Sequence, residues 1–181
     1  MNQQDPTQPV EPFLKNLLST LDLQYQTPSN QYPNVEAYAT QFAKQLKQTS
    51  AIIMNGKPLI PTQNDSRLEF QKKWLATPLT THQLNSFDTH LIPGTGTFII
   101  NLSGKVRFDE SGKNRLGESA DLDKSMMQNN QMRPRPIWGS WFGFNMNLVI
   151  DEGLLNNSEA QTINSLNYRI TYKPHDSIIQ L

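Results

Sequence analysis

The stretch GSWFGFNMNLVIDEG, residues 139–153, alternates between two kinds of side chain. Its even-numbered positions are apolar: Phe142, Phe144, Met146, Leu148 and Ile150. Its odd-numbered positions are mixed and rich in amides: Trp141, Gly143, Asn145, Asn147 and Val149. Because successive side chains of a β-strand point to opposite faces, this pattern predicts a strand with one core face and one uncharged polar face. Such a second face is typical of a contact surface rather than of a freely solvated one.

Three other segments predict long strands of the same sheet. The segments 96–108 and 165–173 repeat the alternation cleanly, whereas 80–92 is less regular because polar and apolar residues share one parity. The four strands are predicted at Thr80–Ile92, Gly96–Phe108, Trp141–Asp151 and Ser165–Lys173.

Helical patterns precede these strands. Apolar residues at helical spacing predict a first helix from Val10 to about Leu23 and a second that runs from Val35 to Leu46. Asn55-Gly56 between two apolar runs predicts a tight hairpin, and a third helix follows from Asp65 until Pro78 ends it. Helices first and strands afterwards predict an α+β fold, in which three helices cover one face of an antiparallel sheet.

Composition limits the classes of function. Lys and Arg number 16, as do Asp and Glu, so the chain lacks the positive charge of an independent nucleic-acid-binding protein. It has no Cys, which excludes disulfides and thiol chemistry. Neither a signal peptide nor a membrane span is expected, and the sequence predicts no metal or cofactor. We expect a disordered tail over residues 1–8 and a single domain over residues 9–181.

The segment from Asp109 to Pro136 has no sustained periodicity. A connection of this length inside a compact domain is either functional or disordered, and both interpretations stay open. Its charges balance, because five acids oppose its five basic residues: Lys113, Arg115, Lys124, Arg133 and Arg135.

An enzyme is the main alternative. Asp88 and His90 share a strand face and, with a buried Tyr, would form an acid–base pair in a cone-shaped pocket. His82 and His90 would lie about 27 Å apart along one strand, too far to bind one metal ion. Base stacking is disfavoured, since Phe142 and Phe144 fall on the core face.

The uncovered sheet face is the predicted partner interface. Its few charges are basic, which favours an acidic residue on the partner and a partner different from this chain. The predicted interface residues are Ile99, Asn101, Arg107, Trp141, Asn145, Asn147, Val149, Asn167, Arg169 and Thr171.

The order of elements resembles the nuclear transport factor 2-like fold, a curved sheet that cups helices. Three segments, GTGTFIINLSGKVRFDESG (94–112), RPIWGSWFGFNMNLVID (135–151) and NYRITYKPHDSIIQL (167–181), are similar to the family of fungal mRNA transport regulators. The likeness extends over nearly the whole chain from about Phe13. Members of this family are small subunits of the heterodimeric general mRNA export receptor.

The resemblance implies a subunit without catalytic activity that pairs, sheet to sheet, with the nuclear transport factor 2-like domain of a large subunit. The heterodimer would carry mRNA and large pre-ribosomal subunits past phenylalanine-glycine nucleoporins, in the nucleus and nuclear pore, and would shuttle to the cytoplasm. Arg169 would pair with a partner acid, and the basic residues of the 109–136 loop would contact RNA or pre-ribosomes. Ran binding is not implied, since Ser111 follows Asp109 and Glu110. A homodimeric carrier is the remaining alternative.

Overall fold

A computed structural model describes residues 8–25, 31–118, 136–157 and 159–179. The predicted tail, except Gln8, and residues 119–135 of the predicted loop lie outside the described residues. Elements in chain order are α1 (Val10–Leu21), α2 (Val35–Ala39), β1 (Leu46–Met54), β2 (Lys57–Pro58), α3 (Ser66–Leu75), β3 (Thr80–Ile92), β4 (Thr97–Phe108), β5 (Phe142–Asp151) and β6 (Ile163–Tyr172). A short 3₁₀ turn, Glu152–Leu155, precedes β6.

The six strands form one sheet in the order β2-β1-β6-β5-β4-β3. All neighbouring pairs are antiparallel except β1 and β6, which run parallel. The prediction of a purely antiparallel sheet was therefore wrong at this one pair. The four long strands begin and end within two residues of their predicted limits.

The predicted second helix is much shorter than expected. It ends at Ala39, and a series of turns leads directly into β1 at Leu46. Ala43 has a φ of 43°, which a continuing right-handed helix cannot accept, and its N–H donates to Thr20 Oγ1 of α1 at 3.2 Å. The apolar residues here have helical spacing, but the chain does not form a longer helix, because Ala43 bonds to α1 and β1 begins at Leu46.

The apolar parity of β5 is buried as predicted. Phe142, Phe144, Met146, Leu148 and Ile150 are each at most 1% exposed. The same parity of β4 and the apolar stripe of α1 complete one continuous core. The alternation in residues 139–153 therefore fixes which side of the sheet the helices cover.

A β-bulge explains the irregular third strand. Leu84 pairs with Gly104 and Ser86 with Ser103, so Asn85 is an extra residue in β3. Because of this extra residue, even-numbered residues before the bulge lie on one face of the sheet, and even-numbered residues after it lie on the other face. Gly104 is required opposite the bulge, because a Cβ there would collide with the Gln83 carbonyl and press on the Phe144 ring.

The Asn55-Gly56 turn is confirmed. Asn55 has a φ of 49° and Gly56 of 78°, the signs that a type I′ hairpin needs, and β1 and β2 flank it. The Asn55 side chain also accepts from the Ile170 N–H at 2.8 Å, which ties the hairpin to β6. Asp65 caps α3 by accepting from the Leu68 N–H at 2.9 Å.

Candidate partner interface and the interior of the cone

The face of the sheet opposite the core carries the residues predicted for the partner interface, and we call it the outer face. Its side chains on β3 to β6 are half-buried or exposed, and none of those described is buried. Strand pairing arranges them in rows that cross the sheet. The central row is Asp88, Asn101, Asn147 and Asn167.

Amides dominate the middle of the outer face. Asn145 Nδ2 donates to Asn101 Oδ1 at 3.0 Å, and Asn147 Nδ2 donates to Asn145 Oδ1 at 3.3 Å. These bonds hold the side chains in a fixed layer while part of their hydrogen-bonding capacity stays unused. Beside the amides lies an apolar row in which Ile99, 43% exposed, pairs with Val149. A flat layer of amides and aliphatic groups is typical of a protein–protein contact.

One end of the outer face is basic. Lys105 and Arg169 are exposed, and Arg107 lies in the next row beyond Lys105. Among the described residues, no ion pair includes any of these three cations. The single acid of the central row, Asp88, lies on the edge strand β3. The outer face therefore favours a partner surface with acidic residues at one end.

Two Trp rings contact Arg107 at this basic end. Its Cζ lies 5.1 Å from the centre of the Trp138 ring and 4.8 Å from that of Trp141. Both distances are within the range of a cation–π interaction. The Nε atom of Arg107 is buried and has no hydrogen-bond partner in the described part of the chain. Trp141 and Arg107 were predicted for the interface from their strand positions, but Trp138 was not, because it precedes β5 and belongs to no alternating pattern.

A bulge in β6 adds another aromatic residue that the sequence analysis missed. Gly143 pairs with Tyr172 and Phe144 with Ile170, so Thr171 is extra. Thr171 and Tyr172 consequently both lie next to Gly143 on the outer face, where its missing side chain leaves them room. Tyr172 is 56% exposed. Strict alternation from Tyr168 assigned Tyr172 to the core, which is why it was not predicted.

Asp109 joins the two ends of the segment that was predicted as a loop. Its Oδ1 accepts from the Ser111 N–H at 3.0 Å and from the Ile137 N–H at 2.9 Å. Backbone bonds from Glu110 to Ile137 and from Gly139 to Phe108 reinforce this junction. Asp109 is only 4% exposed, and both of its carboxylate oxygens already accept hydrogen bonds within the chain, so they are not available to a partner.

The interior of the cone contains a polar chain that the sequence analysis missed. His82 Nδ1 lies 2.5 Å from Asp22 Oδ1, and His82 Nε2 lies 2.9 Å from the Tyr168 hydroxyl. The His82 backbone N–H also donates to the same carboxylate at 2.7 Å. Burial raises the pKa of Tyr168, with the Asp22 charge adding to the effect, so the phenol stays protonated.

Arg115 reaches into this interior from the proximal part of the loop. It is 3% exposed, and its Cζ lies 4.8 Å from the centre of the Trp74 ring. Its Nε donates to the Trp74 carbonyl at 3.1 Å and its Nη2 to Thr80 Oγ1 at 2.8 Å. Burial lowers the pKa of Arg115 to about 10, and the nearby Tyr38 and Asp22 oppose that shift, so it stays charged at neutral pH.

The prediction that Arg115 contacts RNA was therefore wrong, because its guanidinium is enclosed by the core and bonded there. Lys113 is half-exposed and stays a prediction. Lys124, Arg133 and Arg135 lie outside the described residues.

The predicted acid–base pair does not face the cone. Asp88 pairs with Asn101 and His90 with Ile99, both on the outer face, and Asp88 and His90 are exposed. The bulge at Asn85 causes this difference, because after the extra residue the even-numbered positions of β3, including Asp88 and His90, lie on the outer face. The placement of Asp88 and His90 in an active-site cone was therefore wrong.

A cavity of about 170 Å³ opens beside the hairpin. Its walls are almost entirely apolar, and it reaches the Tyr168 ring but neither Asp88 nor His90. Its lining residues are Met54, Asn55, Leu59, Phe70, Lys73, Trp74, Thr77, Phe108, Tyr168 and Ile170.

Two features are absent from the described part of the chain. None of its helices has the length and apolar character needed to cross a membrane. It also contains no group of three His, Cys, Asp or Glu residues placed to hold a metal ion.

A curved sheet with helices on one side and a free outer face belongs to the nuclear transport factor 2-like class. A superfamily protein of this class from Salmonella enterica has a TM-score of 0.53, with 97% of each chain covered and 10% identity, which shows the fold alone. The family model described as "Nuclear pore RNA shuttling protein Mtr2" matches residues 3–181. The chain belongs to this family.

Two relatives carry the same name. The mRNA transport regulator MTR2 of Candida albicans is 59% identical, with both chains covered completely. That of Saccharomyces cerevisiae is 38% identical over 56% of this chain and 59% of its own. Among solved structures, the crystal structure of the C. albicans Mtr2–Mex67 M domain complex has a TM-score of 0.81 at 59% identity, and covers 96% of this chain and 100% of the matched one.

Proposed function

We propose that this chain is the non-enzymatic small subunit of a heterodimeric nuclear mRNA export receptor. It pairs through its outer face with the nuclear transport factor 2-like domain of a large subunit. The observation that carries this proposal is the outer face itself, a fixed layer of amides with aromatic and aliphatic groups that nothing described covers. The relative solved with the Mex67 M domain supports the choice of partner.

The interior of the cone supports the absence of catalysis. Its acid, imidazole and phenol are hydrogen-bonded to one another, and Arg115 fills the adjacent space. A general base needs a free position within reach of a substrate proton, and these groups are already used. The neighbouring cavity has no acidic residue or His in its wall.

Export function follows from the heterodimer. In this proposal the assembled receptor carries mRNA and large pre-ribosomal subunits, binds phenylalanine-glycine nucleoporins, and shuttles between the nucleus, the nuclear pore and the cytoplasm. This chain supplies one half of the sheet-to-sheet contact and its loop.

Co-expression with the large-subunit domain tests the proposal. We expect a 1:1 complex in analytical ultracentrifugation that survives dilution to nanomolar concentration, because interfaces of this kind are buried and obligate. Light scattering of the isolated chain is the control. A stable homodimer that ignores the large-subunit domain would favour the homodimeric carrier, and a monomer without affinity for it would contradict the proposal.

A second prediction concerns RNA. Replacing Lys124, Arg133 and Arg135 together by Ala should weaken binding of the heterodimer to single-stranded RNA, because up to three phosphate contacts are lost. The slope of log K against log salt should become shallower by about 2. The matched control replaces three exposed cations elsewhere, Lys15, Lys57 and Lys72, and makes the same change of net charge. Equal RNA affinity of both triple variants would remove the loop cations from the proposal.

A further inference from the structure

We propose that Arg107 is the receptor for one carboxylate, from an Asp or Glu on the large subunit, and that the tryptophan pair Trp138 and Trp141 holds it ready for that contact. This inference rests on the proposed function and names the chemistry of one point in its interface. It differs from the expected pairing of Arg169, because Arg169 lies on β6 in the row of Asn145, whereas Arg107 lies on β4 two rows further along, next to the junction of the loop.

The tryptophan pair fixes the guanidinium before any partner arrives. The Arg107 Cζ lies about equally far from two indole centres, at 5.1 and 4.8 Å, and the side chain is half-buried. Trp138 is itself fixed, because it forms a β-bridge with Asp109 at the closed junction. Long side chains normally lose affinity because binding restricts their rotamers. An Arg that is already ordered loses little rotamer freedom and therefore avoids most of this cost.

The charge of Arg107 is partly dehydrated but unpaired. Its Nε is buried with no hydrogen-bond partner, and the described ion pairs do not include it. Because Nε is enclosed, a partner group meets the guanidinium at Nη1 and Nη2, neither of which is among the buried atoms without a partner. Among side chains, a carboxylate meets the planar donor fork of Arg with two parallel bonds.

The surroundings favour a protein carboxylate. Lys105 adds a second positive charge in the neighbouring row. The two described acids beside residues 139 and 140, Glu110 and Asp176, accept hydrogen bonds from Ser177 and Ser140, and neither forms an ion pair with Arg107. The site is also continuous with the amide layer through Gly143 and Asn145 of β5. A partner sheet laid on the amides would therefore extend over Arg107 and bring a carboxylate against it.

The test measures the Kd of the chain for the recombinant nuclear transport factor 2-like domain of the large subunit. We expect Arg107→Ala to weaken binding about 30-fold or more. Arg107→Lys should lose much of the same affinity, because it keeps the charge but not the planar fork. Trp138→Ala should show an intermediate loss. The matched control is Lys105→Ala, an exposed cation on the same strand and face without an aromatic contact, with an expected loss below about fivefold.

Reversal of charge gives the second readout. Arg107→Glu should abolish binding, and one Asp or Glu of the partner domain, changed to Arg, should restore it at least tenfold. Thermal unfolding of each isolated variant identifies any variant that does not fold. If Arg107→Ala or Arg107→Glu fails to fold, the binding affinity of Arg107→Lys is compared with that of Lys105→Ala instead.

The outcomes separate the inference from the proposed function. If the unchanged chain does not bind the domain, the proposed function fails. If it binds but Arg107→Ala costs no more than Lys105→Ala, or no reversed partner acid rescues Arg107→Glu, the inference fails alone. It also fails if Arg107→Ala leaves the heterodimer Kd unchanged and instead lowers its affinity for RNA.

Discussion

Replacing Arg115 by Ala is expected to lower the free energy of unfolding by about 3–5 kcal/mol, although the residue belongs to a loop. Its guanidinium donates to the Thr80 hydroxyl, which in turn donates to the Asp22 carboxylate. No other described cation in the cone is linked to Asp22 in this way. Removing it takes away one donor from the Trp74 carbonyl, which keeps its bonds from Thr77. It also opens a cavity against the Phe42 and Trp74 rings and removes a positive charge that compensates the carboxylate of Asp22.

Urea denaturation followed by Trp fluorescence measures this change. The matched control is Lys113→Ala, a basic residue two positions earlier that is half-exposed and forms none of the described ion pairs. It should change stability by less than about 0.5 kcal/mol. Arg115→Lys should recover only part of the loss, because an ammonium cannot make the same set of directed bonds. A stable Arg115→Ala chain with reduced RNA binding would contradict the structural role.

Replacing Arg169 by Asp is expected to weaken the heterodimer by about 100-fold or more. Arg169 is exposed, pairs across the sheet with Asn145, and lies beside the Asn55-Gly56 turn, where its Nη2 is 3.8 Å from the position of a Gly56 Cβ. A carboxylate at this position would meet the partner acid that Arg169 is predicted to bind, so attraction becomes repulsion of two partly dehydrated charges.

Isothermal titration with the large-subunit domain measures the loss. Lys72→Asp is the matched control, since it makes the same change of charge on an exposed position of α3, the helix that packs against the core side of the sheet. The control should bind within threefold of the unchanged chain. Equal effects of the two substitutions would mean that net charge, and not the outer face, determines affinity.

Local signals in the sequence were enough to predict much of this fold. The alternation in residues 139–153 predicted both faces of β5, and Asn-Gly predicted the hairpin, because each depends only on neighbouring residues. The parallel contact of β1 with β6 depends on residues more than 100 positions apart, such as Ile52 and Leu166, and no local pattern encodes it. Parity likewise failed wherever one residue was inserted, at Asn85 and Thr171.

The site was predicted less completely than the fold. The outer-face positions of β4 and β5 follow from periodicity, but Trp138 is outside any strand and Tyr172 follows a bulge. Asp22 directly follows α1, His82 lies on β3 and Tyr168 on β6, so these three residues meet only after folding. Arg115 was misassigned because a basic residue in a loop-like segment is normally solvated, and nothing in its neighbourhood indicates that it enters the core.

The Asp109 junction has a consequence for engineering. The polypeptide leaves the sheet and re-enters it at one hydrogen-bonded point, and Arg115 anchors the first part of the segment in the core, so an insertion placed after Glu118 keeps both of these contacts. Doubling a connecting segment costs only about 0.6 kcal/mol in closure entropy. A reporter domain spliced between Glu118 and Pro136 should therefore leave folding and subunit pairing intact, which would let the receptor be followed through the pore with its label fixed at a known place.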